Sequence, residues 1–129
     1  MKTCAFCNIN KKRIIAEDDN FFVVKDIYPV TDLHTLIITK KHIQSFFDLD
    51  IKKQKLCIDV VNDQRKKLLL DDSTITGFNV GINIGKDAGQ TVEHCHIHII
   101  PRRKGDMNNP KGGVRGVIPG KQNYEMLDL

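Results

Sequence analysis

Residues 94–100 read His94-Cys95-His96-Ile97-His98-Ile99-Ile100, an alternation of histidines with apolar residues. Successive side chains of a β-strand point to opposite faces, so a strand here is predicted to place the three histidines on one face. Its other face would carry Cys95, Ile97 and Ile99. We therefore expect one face of this strand to carry chemistry and the opposite face to pack into the core.

Three imidazoles on one face are suited to chemistry at phosphorus. A neutral histidine ring can act as a nucleophile, and a charged ring can donate a proton or neutralise anionic oxygens. Neighbouring residues on one face of a strand lie about 6.7 Å apart, so two rings can share a metal ion but three hardly can. This spacing argues against a three-histidine metal centre. A metal-dependent hydrolase that uses two of the rings stays open as an alternative, as does a strand without activity.

Five short strands are predicted along the chain. In order they are residues 13–16, 21–26, 34–39, 78–84 and 94–100, and Pro101 ends the last of them. The turn residues Asp18-Asp19-Asn20 join the first two strands into a hairpin. Strands that are mostly adjacent in sequence, with one long helix after the third, predict an α+β domain with an antiparallel sheet.

The long helix is predicted between the third and fourth strands. Asp48 and Asp50 are candidates for its N-cap, and residues 71–73 close it. The apolar residues that recur at helical spacing are Ile51, Ile58, Val61, Leu68 and Leu69. These residues form the expected apolar face of an amphipathic helix.

Length and composition predict one domain over residues 1–129, with a core at 4–102 and an extended C-terminal tail at 103–129. The chain has 129 residues, of which 40% are hydrophobic and 28% charged, as in ordinary globular domains. Its net charge of +4 suits a small anionic substrate, whereas the absence of tryptophan and of a continuous basic stripe argues against nucleic acid as a partner. No run approaches the ~18 apolar residues that span a bilayer, so a cytoplasmic location and no membrane partner are expected.

Two further segments carry polar groups that can bind ligands. The glycine-bounded loop at residues 85–91 leads onto the histidine strand, and its backbone N–H groups could hold phosphate oxygens. In the cytosol Cys4-x-x-Cys7 is interpreted as a metal-binding or redox pair rather than a disulfide. Cys57 and Cys95 are interpreted as buried packing residues.

The segment from Gly89 to Arg102 resembles the histidine-triad (HIT) family, whose signature alternates three histidines with apolar residues. The resemblance extends to Asp26-Ile27-Tyr28-Pro29, to His34-Thr35-Leu36-Ile37-Ile38, to Lys40-Lys41-His42 and to Asn83. The tail at 109–119 is similar to that of a bacterial branch of the family. The resemblance implies a five-stranded antiparallel sheet with one long helix and a short one, paired in a homodimer.

The resemblance also implies hydrolysis or transfer at the α-phosphate of a nucleotide. By position His96 would attack the α-phosphorus to form a nucleotidyl-histidine, which water then cleaves. His98 would bind the phosphate and help to protonate the leaving group, and His34 would line the same site. A second set of residues would contact the nucleotide or its phosphate, namely Asp26, Asn83, Gly89, Gln90 and Thr91. For Asp26 a strand-end turn, and for Asn83 a polar strand position, remain structural alternatives.

Zinc is the cofactor that the resemblance implies. Cys4 and Cys7 supply half of a tetrahedral site, and no second Cys-x-x-Cys pair exists to complete it. In zinc-containing relatives the remaining ligands would correspond to His42 and His94, which makes His94 structural. A redox pair and two inert thiols remain alternatives.

Two substrate classes, and one class without turnover, are compatible with this resemblance. Dinucleoside polyphosphates such as diadenosine tetraphosphate are favoured, because the loop containing Gln90 and the basic run Arg102-Arg103-Lys104 resemble polyphosphate-cleaving relatives. Nucleoside phosphoramidates or aminoacyl adenylates are the alternative substrates. A nucleotide-binding module without turnover is the third possibility. Asp32-Leu33 and Thr39 depart from the family pattern near His34, which leaves the shape of the pocket there open.

Overall fold

The computed structural model describes residues 3–124. One antiparallel sheet has the strand order β1-β2-β3-β5-β4. Its strands are β1 (Ile14–Glu17), β2 (Phe21–Lys25), β3 (Thr35–Thr39), β4 (Ile75–Gly81) and β5 (His96–Arg103), and helix α1 (Ile51–Asp71) joins β3 to β4. The predicted α+β class, the five-stranded antiparallel sheet and the long helix are confirmed.

The short helix that was expected corresponds to 3-10 turns. They lie at Lys11–Arg13, Phe46–Asp48, Lys86–Ala88 and Gly113–Val117. Across residues 3–124 the structure has α1 as its one α-helix. It has no helix, in that same part of the chain, that is long and apolar enough to cross a membrane.

Helix α1 begins where an aspartate caps it. The side chain of Asp50 accepts a hydrogen bond from the backbone N–H of Lys53 at 2.8 Å, whereas Asp48 closes a capping box at the preceding 3-10 turn. The buried face of the helix carries Cys57, Gln64 and Leu68.

The apolar face predicted for α1 is wrong at two positions. Ile51 and Ile58 are 64% and 59% exposed. Each residue advances about 100° around the helix axis, so the face centred on Cys57 and Leu68 turns Ile58 away from the sheet. Val61 and Leu69 pack against the core as predicted.

The two faces of the sheet carry separate apolar clusters. Phe21, Val23, Ile37, Ile97 and Ile99 pack with Cys57 and Leu68 of α1 on one face. On the other face lie Phe22, Val24, Leu36 and Ile38. Leu36 pairs with His98 and Ile38 with His96, so both histidines project from the face that α1 leaves open. The predicted division of residues 96–99 between the two faces is confirmed.

Strand β5 begins and ends later than predicted. His94 precedes the strand, and Pro101 lies inside it, opposite Phe78 of β4. Strand β3 pairs with β5 only as far as Ile99, and beyond that point the hydroxyl of Thr31 donates to the Pro101 carbonyl at 2.6 Å. A residue in an antiparallel strand points its N–H and C=O to the same side. The missing N–H of Pro101 would point to the side where β3 no longer pairs with β5. The proline therefore costs the sheet no hydrogen bond.

Strand β4 is displaced by three residues from its predicted position at 78–84. Its pairing with β5 runs from Ile75 opposite Arg103 to Gly81 opposite His98. Asn83 consequently lies in the loop after the strand rather than within it. This displacement brings Asn83 to the end of the sheet where His98 lies.

The tail is not extended as predicted, because residues 104–124 fold into turns. Gln122 donates from Nε2 to the carbonyls of Asn109 and Lys111, each at 3.1 Å. Gly112 has a φ of 82°, and a Cβ at this position would collide with the Gln122 carbonyl. The last part of the predicted tail, residues 125–129, lies outside the described residues.

Candidate active site and metal cluster

A cavity of about 310 Å³ lies over the open face of the sheet at His96 and His98. The other residues that line it are Ala5, Phe6, Arg13, Asp26, Ile27, Tyr28, Leu36, Asn83, Gly89, Thr91 and Val92. Apolar side chains such as Phe6 and Leu36 thus form walls between groups that can bind anions and hydroxyls. This arrangement suits a ligand with an apolar ring at one end and charge at the other.

His96 is held in one tautomer by the backbone. Its Nδ1 lies 2.7 Å from the carbonyl oxygen of His94, and since a carbonyl only accepts, Nδ1 carries the proton. Nε2 therefore has a free lone pair, as a nucleophile requires. The ring is 7% exposed and packs edge-to-face on Phe6, with 4.9 Å between ring centroids.

A chain of hydrogen bonds fixes the proton on His98. The backbone N–H of Val30 donates to Nδ1 of His34 at 3.0 Å, so the proton of a neutral His34 sits on Nε2. That Nε2–H faces Nδ1 of His98 at 2.9 Å and donates to it. The proton of His98 is consequently on its own Nε2. His34 is 2% exposed and lies behind His98 rather than at the cavity surface.

Burial keeps both of these rings neutral. Burial, together with neighbouring His96 and His34, lowers the pKa of His98 to about 4, against the opposing effect of Asp26. Burial also lowers the pKa of His34, and Asp26 again opposes the shift. At pH 7 His98 thus offers a hydrogen-bond donor without a positive charge.

Asp26 serves both the backbone turn and the cavity. Its Oδ1 accepts from the backbone N–H of Tyr28 at 2.8 Å, which is the strand-end turn considered from the sequence. Its Oδ2 lies 3.5 Å from Nε2 of His34, and the side chain lines the cavity. Turn formation leaves a carboxylate oxygen available to a ligand.

The glycine-bounded loop uses most of its polar groups internally. Gly85 and Gly89 both have a φ of 90°, and the N–H groups of Ala88, Gly89 and Gln90 donate to carbonyls of the same loop. Gln90 is buried; its Oε1 accepts from the Gly85 N–H at 2.9 Å, and its Nε2 donates to the carbonyls of Gln44 and Val92. The expected phosphate cradle of loop N–H groups is therefore not what this loop presents. It does bring Gly89 and Thr91 to the cavity.

The basic run at residues 102–104 is largely neutralised. Arg102 forms a two-pronged ion pair with Asp106, with both distances 2.8 Å, and also donates to Asn79. Arg103 donates to Asp72 from two nitrogens. The sequence suggested that this run attracts a charged leaving group, but both guanidinium groups already have carboxylate partners.

A second cluster brings the predicted metal ligands together. The ligand atoms of Cys4, Cys7, His42 and His94 all lie within 4.8 Å of one another. Nδ1 of His94 is 3.4 Å from the Cys4 sulfur, 3.6 Å from the Cys7 sulfur and 3.2 Å from Nδ1 of His42. A tetrahedral zinc ion with its usual bond lengths separates such ligands by about 3.3–3.8 Å. The cluster is compatible with zinc.

His94 has the tautomer that this cluster needs. Its Nε2 lies 2.7 Å from the carbonyl of Thr39, so Nε2 carries the proton and Nδ1 keeps a lone pair towards the thiols. Asp26, His34 and His98 also lie within 4.8 Å of one another, but they do not suit a metal. His34 already accepts the Val30 N–H at Nδ1, so its Nε2 must keep a proton.

The remaining cysteines have the packing role that was predicted. Cys57 and Cys95 are 3% and 1% exposed. Burial raises the pKa of Cys57 to about 11 and that of Cys95 to about 12, which keeps both thiols protonated and unreactive.

Seven of the residues that line the cavity were not predicted as site residues, and Phe6 and Arg13 are among them. Phe6 lies between the cysteines of the Cys-x-x-Cys pair, and its ring contacts those of both His94 and His96. An aromatic residue inside a metal-binding loop was a usable signal. Arg13 also lines the cavity, but nothing in the surrounding sequence distinguishes it from other surface cations.

Comparison with known proteins gives consistent matches. The HIT domain family matches residues 8–105. A HIT-like protein of Borreliella burgdorferi is 36% identical over 114 residues, which cover 82% of this chain and 80% of the relative. A zinc-bound histidine triad family protein of Mycobacterium smegmatis is similar in structure, with a TM-score of 0.69 and 34% identity over 83% of this chain and 80% of that one. The diadenosine triphosphate hydrolase of Plasmodium falciparum gives a TM-score of 0.67 and 31% identity over 78% of this chain and 68% of that one.

Proposed function

The chain belongs to the HIT family, and on that premise we propose that it is a hydrolase that cleaves nucleotides at the α-phosphate, with His96 as the nucleophile. One observation carries this proposal. Nε2 of His96 has a free lone pair and lies in a cavity beside His98, whose Nε2 carries a proton. A nucleophile and a donor for phosphate oxygens thus stand side by side.

The proposed reaction has two displacements at phosphorus. Nε2 of His96 attacks the α-phosphorus, a P–N bond forms, and the bond from phosphorus to the leaving-group oxygen breaks with its electron pair. The His94 carbonyl stabilises the positive charge that develops on the His96 ring, because it accepts from Nδ1. Water then attacks phosphorus, the P–N bond breaks with its electron pair returning to Nε2, which leaves His96 neutral again, and the proton that the water loses passes to solvent. Nε2–H of His98 donates to the phosphate oxygens throughout.

Dinucleoside polyphosphates are the substrate class that we propose. A phosphate leaving group departs as an anion, whereas an amine must be protonated as it leaves. The pKa of His98, about 4, makes this ring a neutral hydrogen-bond donor at pH 7 rather than a charged acid. The similarity to a diadenosine triphosphate hydrolase supports the same class.

A second candidate class follows from the ion pairs of the basic run. Arg102 and Arg103 are both neutralised by aspartates, so neither is free to bind the outer phosphates of a polyphosphate. A less charged leaving group, as in nucleoside phosphoramidates or aminoacyl adenylates, would not require them. These substrates belong in the same assay.

Zinc in the Cys/His cluster is part of the proposal. Cys4, Cys7, His42 and His94 would hold it, and when bound it would fix the N-terminal segment against the start of β5. The donor set, the ligand separations and the tautomer of His94 support this assignment. The homodimer, the cytoplasmic location and the division into a core at 4–102 and a tail stay predictions.

Trapping the covalent adduct tests the nucleophile. The protein is incubated with α-labelled diadenosine polyphosphate, an aminoacyl adenylate or a nucleoside phosphoramidate, quenched in alkali, and analysed by mass spectrometry. We expect an adduct on His96, and we expect His96→Ala to lose the adduct and at least about a thousandfold in turnover.

Glu93→Ala is the matched control for this experiment. Glu93 is exposed and does not line the cavity, so the control should keep both adduct and turnover. Turnover in His96→Ala at the parent rate would refute the assignment. A folded His96→Ala that still binds nucleotide separates loss of chemistry from loss of binding.

A further inference from the structure

Arg13 is a cation in the cavity that the proposed chemistry does not use. It directly precedes β1, whereas His96 and His98 lie on β5. Three inter-strand steps separate β1 from β5 in the sheet, a distance of about 14 Å. The Arg13 guanidinium donates to the Lys25 carbonyl of β2, so it enters the cavity from the β1–β2 side rather than from β5.

Most donors of the Arg13 guanidinium have no partner within residues 3–124. Nη2 donates to the carbonyl of Lys25 at 3.1 Å, and no carboxylate of that part of the chain lies within 4 Å of the group. This differs from Arg102 and Arg103, each of which has an aspartate partner. A half-buried guanidinium with open donors in a cavity is ready to bind acceptors of a ligand.

The order of groups across the sheet matches the order of groups in a nucleotide. His96 and His98 on β5 would face the phosphate, and Asp26 at the end of β2 offers a carboxylate oxygen to ribose hydroxyls. Phe6 and Leu36 provide apolar walls, and Arg13 lines the same cavity from the side of β1 and β2. A base held between these walls would present the edge that carries N7 and position 6 to the Arg13 guanidinium.

We propose that Arg13 reads this edge and makes the site select purines that carry an oxygen at C6, guanine and hypoxanthine, over adenine. Arginine donates in two-pronged fashion to O6 and N7 of such a base. Adenine places an amino donor where the guanidinium also has donors. The proposal rests on the proposed function, because it takes the α-phosphate to lie at His96.

Binding of nucleoside monophosphates to the full chain tests this selectivity without turnover. Calorimetry gives the Kd of GMP, IMP, AMP and 7-deaza-GMP for the parent protein, for Arg13→Ala, for Arg13→Lys and for Lys12→Ala. We expect GMP and IMP to bind about tenfold more tightly than AMP, with 7-deaza-GMP between them. Arg13→Ala should remove the preference and Arg13→Lys should reduce it. Lys12 is exposed and outside the cavity, so its variant should keep the preference.

Two results would overturn the inference, and they differ in what else they affect. Equal affinity for GMP and AMP in the parent protein, or an equal loss for all bases in Arg13→Ala, contradicts base reading but leaves nucleotide binding intact. Absence of binding by every monophosphate would overturn the proposed function, and the inference with it.

Discussion

The Cys/His cluster proposed to bind zinc and the proposed reaction centre contain histidines only two residues apart, yet the two histidines present opposite ring nitrogens. In the cluster, Nε2 of His94 donates to the Thr39 carbonyl, and Nδ1 faces the two thiols. In the reaction centre, Nδ1 of His96 donates to the His94 carbonyl, and Nε2 faces the cavity. A backbone carbonyl selects the tautomer in each case, and the tautomer determines whether the ring suits a metal or an electrophile.

The two regions are also physically connected. His94 supplies a ring nitrogen to the cluster and a carbonyl to His96, the proposed nucleophile, and the ring of Phe6 contacts both histidines. Their free ligand atoms differ in arrangement: those of the cluster converge on one point, whereas those of His96 and His98 open towards a cavity. Disturbing the cluster should consequently affect the reaction centre more than the reverse.

Removal of one thiol from the Cys/His cluster should have the largest effect, because it should change both the zinc content and the stability of the protein. Cys4→Ser should abolish stoichiometric zinc in protein purified without added metal. A site loaded at about a thousand times its Kd adds about 4 kcal/mol to stability. The loss should therefore lower the Tm by about 15 °C in a chain of this length. Metal analysis and thermal unfolding measure the two quantities.

Cys57→Ala is the control, because Cys57 is buried in the core and is not a ligand. It should cost some stability and keep zinc. Protein that contains no zinc before substitution, or a Cys4→Ser variant that retains it, would contradict the ligand assignment.

The sequence was sufficient for those parts of the fold and site that depend on local periodicity. The alternation at 96–99 predicted which side chains face α1 and which face the cavity. The ends of β5 were not predictable locally, because they depend on where β3 stops pairing and on the hydroxyl of Thr31 at Pro101. Where a strand ends depends on the partner strand with which it pairs as well as on its own residues.

The sequence also did not predict which polar side chains form hydrogen bonds within the protein rather than with a ligand. Gln90 resembled a phosphate ligand by position, but its amide is fully engaged with backbone groups of Gly85, Gln44 and Val92. The hydrogen bond from Gln90 to the Gln44 carbonyl spans 46 positions in the chain, and no pattern of residue spacing predicts it. Arg13 enters the cavity for the same kind of reason, through the pairing of β1 with β2.

The tautomer of His98 gives a second, smaller test. His34→Leu removes the donor to Nδ1 of His98, so the proton of His98 is no longer held on Nε2. We expect kcat to fall about tenfold, because only part of the population then presents the donor, while KM changes little. His34→Gln can place an amide N–H near the position of Nε2 and should recover most of the rate.

The pair of variants separates positioning from packing. His34 is 2% exposed, so both substitutions disturb the core, and the two Tm values should fall together. Equal rates in the Leu and Gln variants would show that the hydrogen bond to His98 does not matter.

The smallest expected effect is on the pH dependence of stability. Burial holds the pKa of His98 at about 4 in the folded protein, below the value of about 6.5 for an unfolded chain. Between these values the unfolded state binds more protons, so this contribution is complete above pH 6.5 and is lost as pH falls towards about 4. The groups that face His98 are His96, His34 and Asp26.

Denaturant unfolding at several pH values measures this contribution. As pH falls, the free energy of unfolding should decline less steeply in His98→Gln than in the parent protein. Because any metal ligands protonate alike in both proteins, their effect cancels in the difference. Identical slopes would mean that His98 takes up a proton as readily in the folded protein as in the unfolded chain, which would contradict the lowered pKa expected from its burial.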